Sequence, residues 1–177
     1  NMENPRWAGV YPAVTTKFTE SGLIDVDAIE DHLDWQIRSG VHGLIAIGSL
    51  GENQALASDE KQLIIKTAVA TSAGRVPVLA GAAENSTRAA CRFVEDSAKN
   101  GADGVMVLPP MVYPCDQRET IDYFRTVAEA SDLPIMIYNN PVSYKTDVSP
   151  EMFVDLADEE KFVAIKESSG ITSRIID

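Results

Sequence analysis

Two cysteines and two histidines are all that 177 residues offer in the way of thiolate and imidazole metal ligands, and their positions suggest no joint use. Cys91 falls in a helical pattern and Cys115 in a loop, which fits a reduced cytoplasmic protein better than a disulfide framework. His32 and His42 lack metal-ligand spacing, so neither a metal nor another cofactor is expected. Positive charge is scarce too: 15 Lys and Arg stand against 27 Asp and Glu, and the net charge of -12 argues against nucleic acid or an anionic membrane as a partner. No apolar run approaches the ~20 residues of a membrane span. The polar start, Asn1-Met2-Glu3-Asn4-Pro5, has no basic stretch leading into an apolar one, and residues 1–8 read as a leader or expression remnant ahead of a domain over 9–177. A glycine-rich dinucleotide loop is also missing, because the first strand pattern runs into Lys17-Phe18-Thr19-Glu20-Ser21-Gly22.

What the chain does have is a repeat. Short apolar runs begin at Val10, Leu44, Val76, Val105, Ile135 and Phe162, and the last five onsets are 32, 29, 30 and 27 residues apart, about one βα unit each. Between them lie helical patterns: Val26, Ile29, Leu33 and Ile37 after an N-cap at Asp25, a helix from Ser58, one capped by Ser86, one carrying Ile121, Phe124 and Val127, and one opened by Pro150. Buried strands alternating with amphipathic helices predict a parallel sheet covered by helices, either doubly wound or a (β/α)8 TIM barrel. The unusual residues decide for the barrel. They cluster at the C-terminal ends of strands, as Thr15-Thr16, Gly48-Ser49-Leu50-Gly51-Glu52, Tyr138-Asn139 and Lys166, and those ends converge on one mouth in a barrel. About six of eight βα units are present, so the real protein is expected to continue.

The run Phe162-Val163-Ala164-Ile165 reads as a fully buried strand that ends on Lys166. Desolvating an ammonium is costly, so a lysine held there offers a free amine for condensation with a carbonyl. A Schiff-base enzyme for a 2-oxo acid also needs a proton shuttle and donors for the carboxylate. Tyr138 can be the shuttle, and the loop Gly48, Ser49, Leu50 and Gly51 can offer N–H groups and a hydroxyl. Lys17 and Lys145 lie near strand ends without closing an apolar run, and are rivals to test. Glu52 and the helix start at Glu84 are expected to be structural.

In this order the residues resemble the dihydrodipicolinate synthase and N-acetylneuraminate lyase family of class I aldolases. The resemblance spans about Gly9 to Gly170 and rests on Gly48-Ser49-Leu50-Gly51-Glu52, Tyr138-Asn139-Asn140-Pro141 and Ile165-Lys166-Glu167-Ser168-Ser169-Gly170. It implies a TIM barrel in which Lys166 forms a Schiff base with pyruvate or a similar 2-oxo acid, Tyr138 moves protons, and Ser49 links Tyr138 to the carboxylate or relay. It further implies a homo-oligomer, a dimer or tetramer. Three departures bear on the substrate. Leu50 stands where synthase and lyase branches carry a second hydroxyl, Met111-Val112 where the synthase has adjacent tyrosines, and Ser143 where it has an arginine. The resemblance therefore implies a lyase other than the lysine-pathway synthase, with Tyr113 a partial stand-in for the missing tyrosine. The alternatives are a dehydratase or aldolase of keto-deoxy sugar acids, a deaminase of a hydroxy-pyrroline-carboxylate, and a non-catalytic 2-oxo acid binding protein.

Overall fold

The computed structural model describes residues 7–110 and 113–176. Five parallel strands, β1 (Leu44–Ala46), β2 (Val78–Ala82), β3 (Gly104–Val107), β4 (Ile135–Asn139) and β5 (Phe162–Glu167), pair in strict sequence order. That order decides between the two sheets considered above. Right-handed crossovers that always step to the next strand put every helix on one side, which is the winding of a barrel wall. The helices are α1 (Val26–Arg38), α2 (Ser58–Ser72), α3 (Thr87–Lys99), α4 (Gln117–Glu129), α5 (Pro141–Tyr144) and α6 (Pro150–Leu156).

Local chemistry sets their ends. Asp25 caps α1 by accepting from Ala28 N (3.0 Å), and Gly40 takes the left-handed conformation just past its end, at φ +92°. Ser86 caps α3 in the same way through Ala89 N. On α4, Asp116 accepts from Glu119 N (2.8 Å) while Glu119 accepts from Asp116 N (3.0 Å), a reciprocal pair that satisfies two otherwise free donors.

The strands alternate between two cores. Leu44 and Ala46, Val78 and Ala80, Val105 and Val107, and Ile135 and Ile137 face the helices and pack with Leu33, Ile65, Phe93 and Phe124. Ile45, Leu79, Met106 and Tyr138 face the other way and make a second cluster, the barrel interior.

Two expectations need correction. The stretch Val10–Thr16 is no full strand: its pairing reduces to a single bridge, Ala13 with Ile45, beside the bond from Val14 N to Ile45 O (2.9 Å). Pro12 supplies a carbonyl to Ile45 N but has no N–H to return, which weakens the ladder at that point. Nor is β5 fully buried. Its residues are mostly half-buried and Ile165 is 54% exposed, because among the described residues no strand pairs with its outer edge.

Candidate active site

Lys166 reaches the interior through a defect in the sheet. Ile135 pairs with Phe162, but Met136 pairs with Ala164, so β5 holds one extra residue in a bulge. Phe162 faces the helices, where its ring meets Phe124 edge-on, and strict alternation would send Lys166 to that same side. The bulge inverts the alternation and sets Lys166 opposite Tyr138. Lys166 Nζ then lies 4.2 Å from the centroid of the Tyr138 ring.

The ends of β4 and β5 are tied together beneath this pair. Asn139 is fully buried and bridges both, donating from Nδ2 to Glu167 Oε2 (3.0 Å) and Asp147 Oδ1 (3.1 Å) while its Oδ1 accepts from Val148 N (2.9 Å). Arg174 clamps Asp147 with two bonds of 2.6 and 2.7 Å. Burial pushes the Glu167 carboxyl up, yet the bonds from Asn139 and from Ser169 N outweigh it and hold the group below its ordinary range. Asp147 is held low as well, first by the Arg174 guanidinium.

The loop after β1 is held by neighbours on three sides. Ile47, a β-branched residue, takes φ +51°, an outlier that persists only where surroundings over-determine it. Those surroundings are visible: Asn53 Nδ2 donates to Ile47 O (3.0 Å) and to Gly81 O (2.9 Å), and Thr16 Oγ1 donates to Gly51 O (2.7 Å). A Cβ at Gly81 would stand 2.8 Å from both Gly48 N and Ile47 O, so only glycine lets β2 approach this closely. Ser49–Gly51 form a single 3₁₀ turn. Gly51 N is turned onto Gly48 O (3.0 Å), whereas the N–H groups of Ser49 and Leu50 open the turn, positions without an intrahelical acceptor. Leu50 carries its side chain into the open, 65% exposed, and Glu52 is exposed too.

The structure also brings in a residue that the sequence did not single out. Tyr144 ends α5, the four-residue helix directly after β4, and its hydroxyl hydrogen-bonds the Ser49 hydroxyl. Its ring meets that of Tyr138 edge-on, centroids 5.8 Å apart at 82°. Burial pushes the Tyr144 phenol above the usual range; the bond to Ser49 opposes this, and the neighbouring Tyr138 hydroxyl adds to it. The Tyr138 hydroxyl accepts from Asn140 Nδ2 (3.1 Å). Ser49, Gln54, Ala83 and Tyr144 share the wall of a cavity of about 360 Å³. The only available signal was a tyrosine six residues after Tyr138 behind an Asn-Pro helix start.

The other candidates fall elsewhere. Lys17 donates to Thr15 Oγ1 (3.0 Å), and Lys145 is exposed in the left-handed region at φ +61°. Lys61 is buried but paired with Glu84 (2.7 Å). Tyr113 is exposed in a cleft with Ser86 and Glu119, and Met111-Val112 lie outside the described residues. Among the described residues there is no cluster of three potential metal ligands, and no helix is long and apolar enough to cross a membrane.

In sequence and in fold the chain is similar to proteins of one family. The profile of the dihydrodipicolinate synthetase family matches residues 6–177. A relative from Rhizobium meliloti (strain 1021), called 4-hydroxy-tetrahydrodipicolinate synthase, is 37% identical over 168 residues, covering 94% of this chain and 57% of its own length. Dihydrodipicolinate synthase from Aquifex aeolicus superposes with a TM-score of 0.92 at 34% identity, over 96% of this chain and 58% of that one. YagE, a prophage protein of the dihydrodipicolinic acid synthase family from E. coli K12 solved in complex with pyruvate, gives 0.89 at 31% identity, over 97% and 58%. The chain thus spans somewhat more than half the length of the proteins it matches. Nothing in these names supports setting the lysine-pathway synthase aside, as Leu50 and Ser143 had suggested.

Proposed function

Because the chain belongs to the dihydrodipicolinate synthetase family, we propose that it is the greater part of a Schiff-base lyase acting on pyruvate or a close 2-oxo acid. The observation that carries this is the register pairing of Tyr138 with Lys166 on the interior face, with the amine 4.2 Å from the ring. Lys166 is the nucleophile: its nitrogen adds to the ketone carbon. Tyr138 gives a proton to the oxygen that leaves as water, and later takes one from the carbon next to the iminium, forming the enamine. The Ser49 and Leu50 N–H groups face the substrate carboxylate, with Gly48 and Gly51 shaping the turn. YagE, solved with pyruvate, supports the choice of 2-oxo acid. The same reading makes the whole protein a cytoplasmic homo-oligomer that works without a metal or organic cofactor.

Borohydride reduction in the presence of pyruvate tests this. One pyruvyl adduct on the Lys166 peptide is expected, lost in Lys166→Ala; labelling only at Lys17, Lys61 or Lys145, or no labelling, refutes it. A second reading, the lysine-pathway synthase itself, is favoured by the name of the Rhizobium meliloti relative. Production of 4-hydroxy-tetrahydrodipicolinate by the full-length protein supports it. An adduct on Lys166 without that product leaves the sugar-acid and pyrroline-carboxylate lyases, and an adduct without turnover of any of these leaves the binding protein.

A further inference from the structure

We infer that Tyr144 is the positioning hydroxyl that links Ser49 to Tyr138, so that the proton path of this site is completed from the short helix following β4. The inference rests on the Schiff-base reading and deepens it. Ser49 was expected to serve Tyr138, yet its hydroxyl is bonded to Tyr144, a contact across 95 residues of sequence. Tyr144 in turn meets Tyr138 ring to ring at 5.8 Å. The chain is therefore Ser49, Tyr144, Tyr138, with Lys166 Nζ 4.2 Å from the centroid of the last ring.

The placement of Tyr144 is built, not incidental. Asn140 caps α5 by accepting from Ser143 N (3.1 Å) and at the same time donates to the Tyr138 hydroxyl. Tyr144 N donates to Asn140 O (2.9 Å), and Lys145 ends the helix in the left-handed region. One residue, Asn140, thus sets both phenols. Tyr113, within the β3–α4 connection, is exposed.

The proton balance gives Tyr144 a task. When Tyr138 releases its proton to the departing hydroxyl of the carbinolamine, water leaves and the lysine nitrogen becomes an iminium. Tyr138 is then a phenolate until it takes the proton lost from the substrate carbon. During that interval the Tyr138 oxygen keeps the bond from Asn140 Nδ2 (3.1 Å), and the neighbouring Tyr144 hydroxyl stabilises the negative charge as a second donor, with Ser49 donating to Tyr144 in turn. No proton is gained or lost over the cycle, and no co-reactant is needed.

The experiment is deuterium exchange into the methyl group of pyruvate, followed by NMR in the full-length protein, which needs no knowledge of a second substrate. In Tyr144→Phe, borohydride trapping on Lys166 is expected to persist while exchange slows by roughly 10- to 100-fold, at or below the ~100- to 10,000-fold of a group that transfers the proton itself. The pH profile of the residual exchange should also shift, which a packing role alone would not produce. Ser49→Ala breaks the same bond from the other end and should act in the same direction, with the double variant no worse than the slower single one. Trapping with wild-type exchange and an unchanged profile in both variants overturns the role of Tyr144 and leaves the Schiff base standing. Absence of trapping in the wild type overturns both.

Discussion

Replacing Asn139 by alanine should cost more than any other single truncation at the mouth, and its size follows from three bonds. Val148 is fully buried, so its N–H would lose its acceptor with no water to replace it, costing about 1–3 kcal/mol. The bond to the Glu167 carboxylate is charge-assisted and contributes roughly 1.5–3 kcal/mol, whereas the one to the more exposed Asp147 adds under about 1 kcal/mol. Partial relaxation trims the sum to about 3–4 kcal/mol. With a urea slope of roughly 2 kcal/mol per molar, the unfolding midpoint of the full-length protein falls by about 1.5–2 M. Far-UV circular dichroism against urea reads this directly. Asn139→Asp keeps an acceptor for Val148 N but sets a third carboxylate against Asp147 and Glu167, so it should be as damaging at neutral pH and recover in part as acid protonates the cluster. A loss below about 1 kcal/mol for Asn139→Ala, or no pH-dependent recovery for Asn139→Asp, would falsify the view that this residue ties β4 to β5.

The acid side of the stability profile is a second test. Asp147 and Glu167 both have depressed values in the fold, so their contribution is present above the unfolded carboxylate range, about pH 4, and is lost as pH falls through the lower folded values. Arg174→Gln removes the main cause for Asp147, so the urea midpoint should be lower than wild type at about pH 7 and its decline toward about pH 3 shallower, the two profiles converging in acid; superimposable profiles refute the linkage. Tyr123 supplies the opposite sign. Its hydroxyl is buried without a partner among the described residues, and burial drives its phenol far above the usual range. Tyr123→Phe is expected to be neutral or stabilising by up to about 1 kcal/mol; a clear loss in thermal unfolding would reveal a bond to that oxygen.

Much of this architecture was legible because it is local. Asp25, Ser86 and Pro150 mark helix starts by their own backbone chemistry, and the apolar runs of β1 to β4 are buried on both faces, so composition alone exposes them. Three features escaped for physical reasons. The Val10–Thr16 stretch has the composition of a strand, but Pro12 cannot donate, and pairing is a property of two segments. Helix α5 is a single turn, too short for a periodic pattern, which hid Tyr144 in an apparent loop. The orientation of Lys166 could not have come from alternation, which counts it onto the same face as Phe162; the bulge against Ile135 and Met136 reverses that count. Lysine, tyrosine and serine were thus legible as types and positions, whereas their connection through Tyr144 is a product of tertiary packing.

The strict β1-β2-β3-β4-β5 order has a consequence for how the molecule comes into being. Among the described residues, each of these five strands pairs in the sheet with strands made just before or just after it, so this part of the wall can grow in the direction of synthesis without waiting for a distant segment. Ser49 emerges first, then Tyr138 and Tyr144 within six residues of each other, and Lys166 arrives last, laid against a strand whose hydroxyls are already placed. The Lys166 amine is delivered to strands that are already paired.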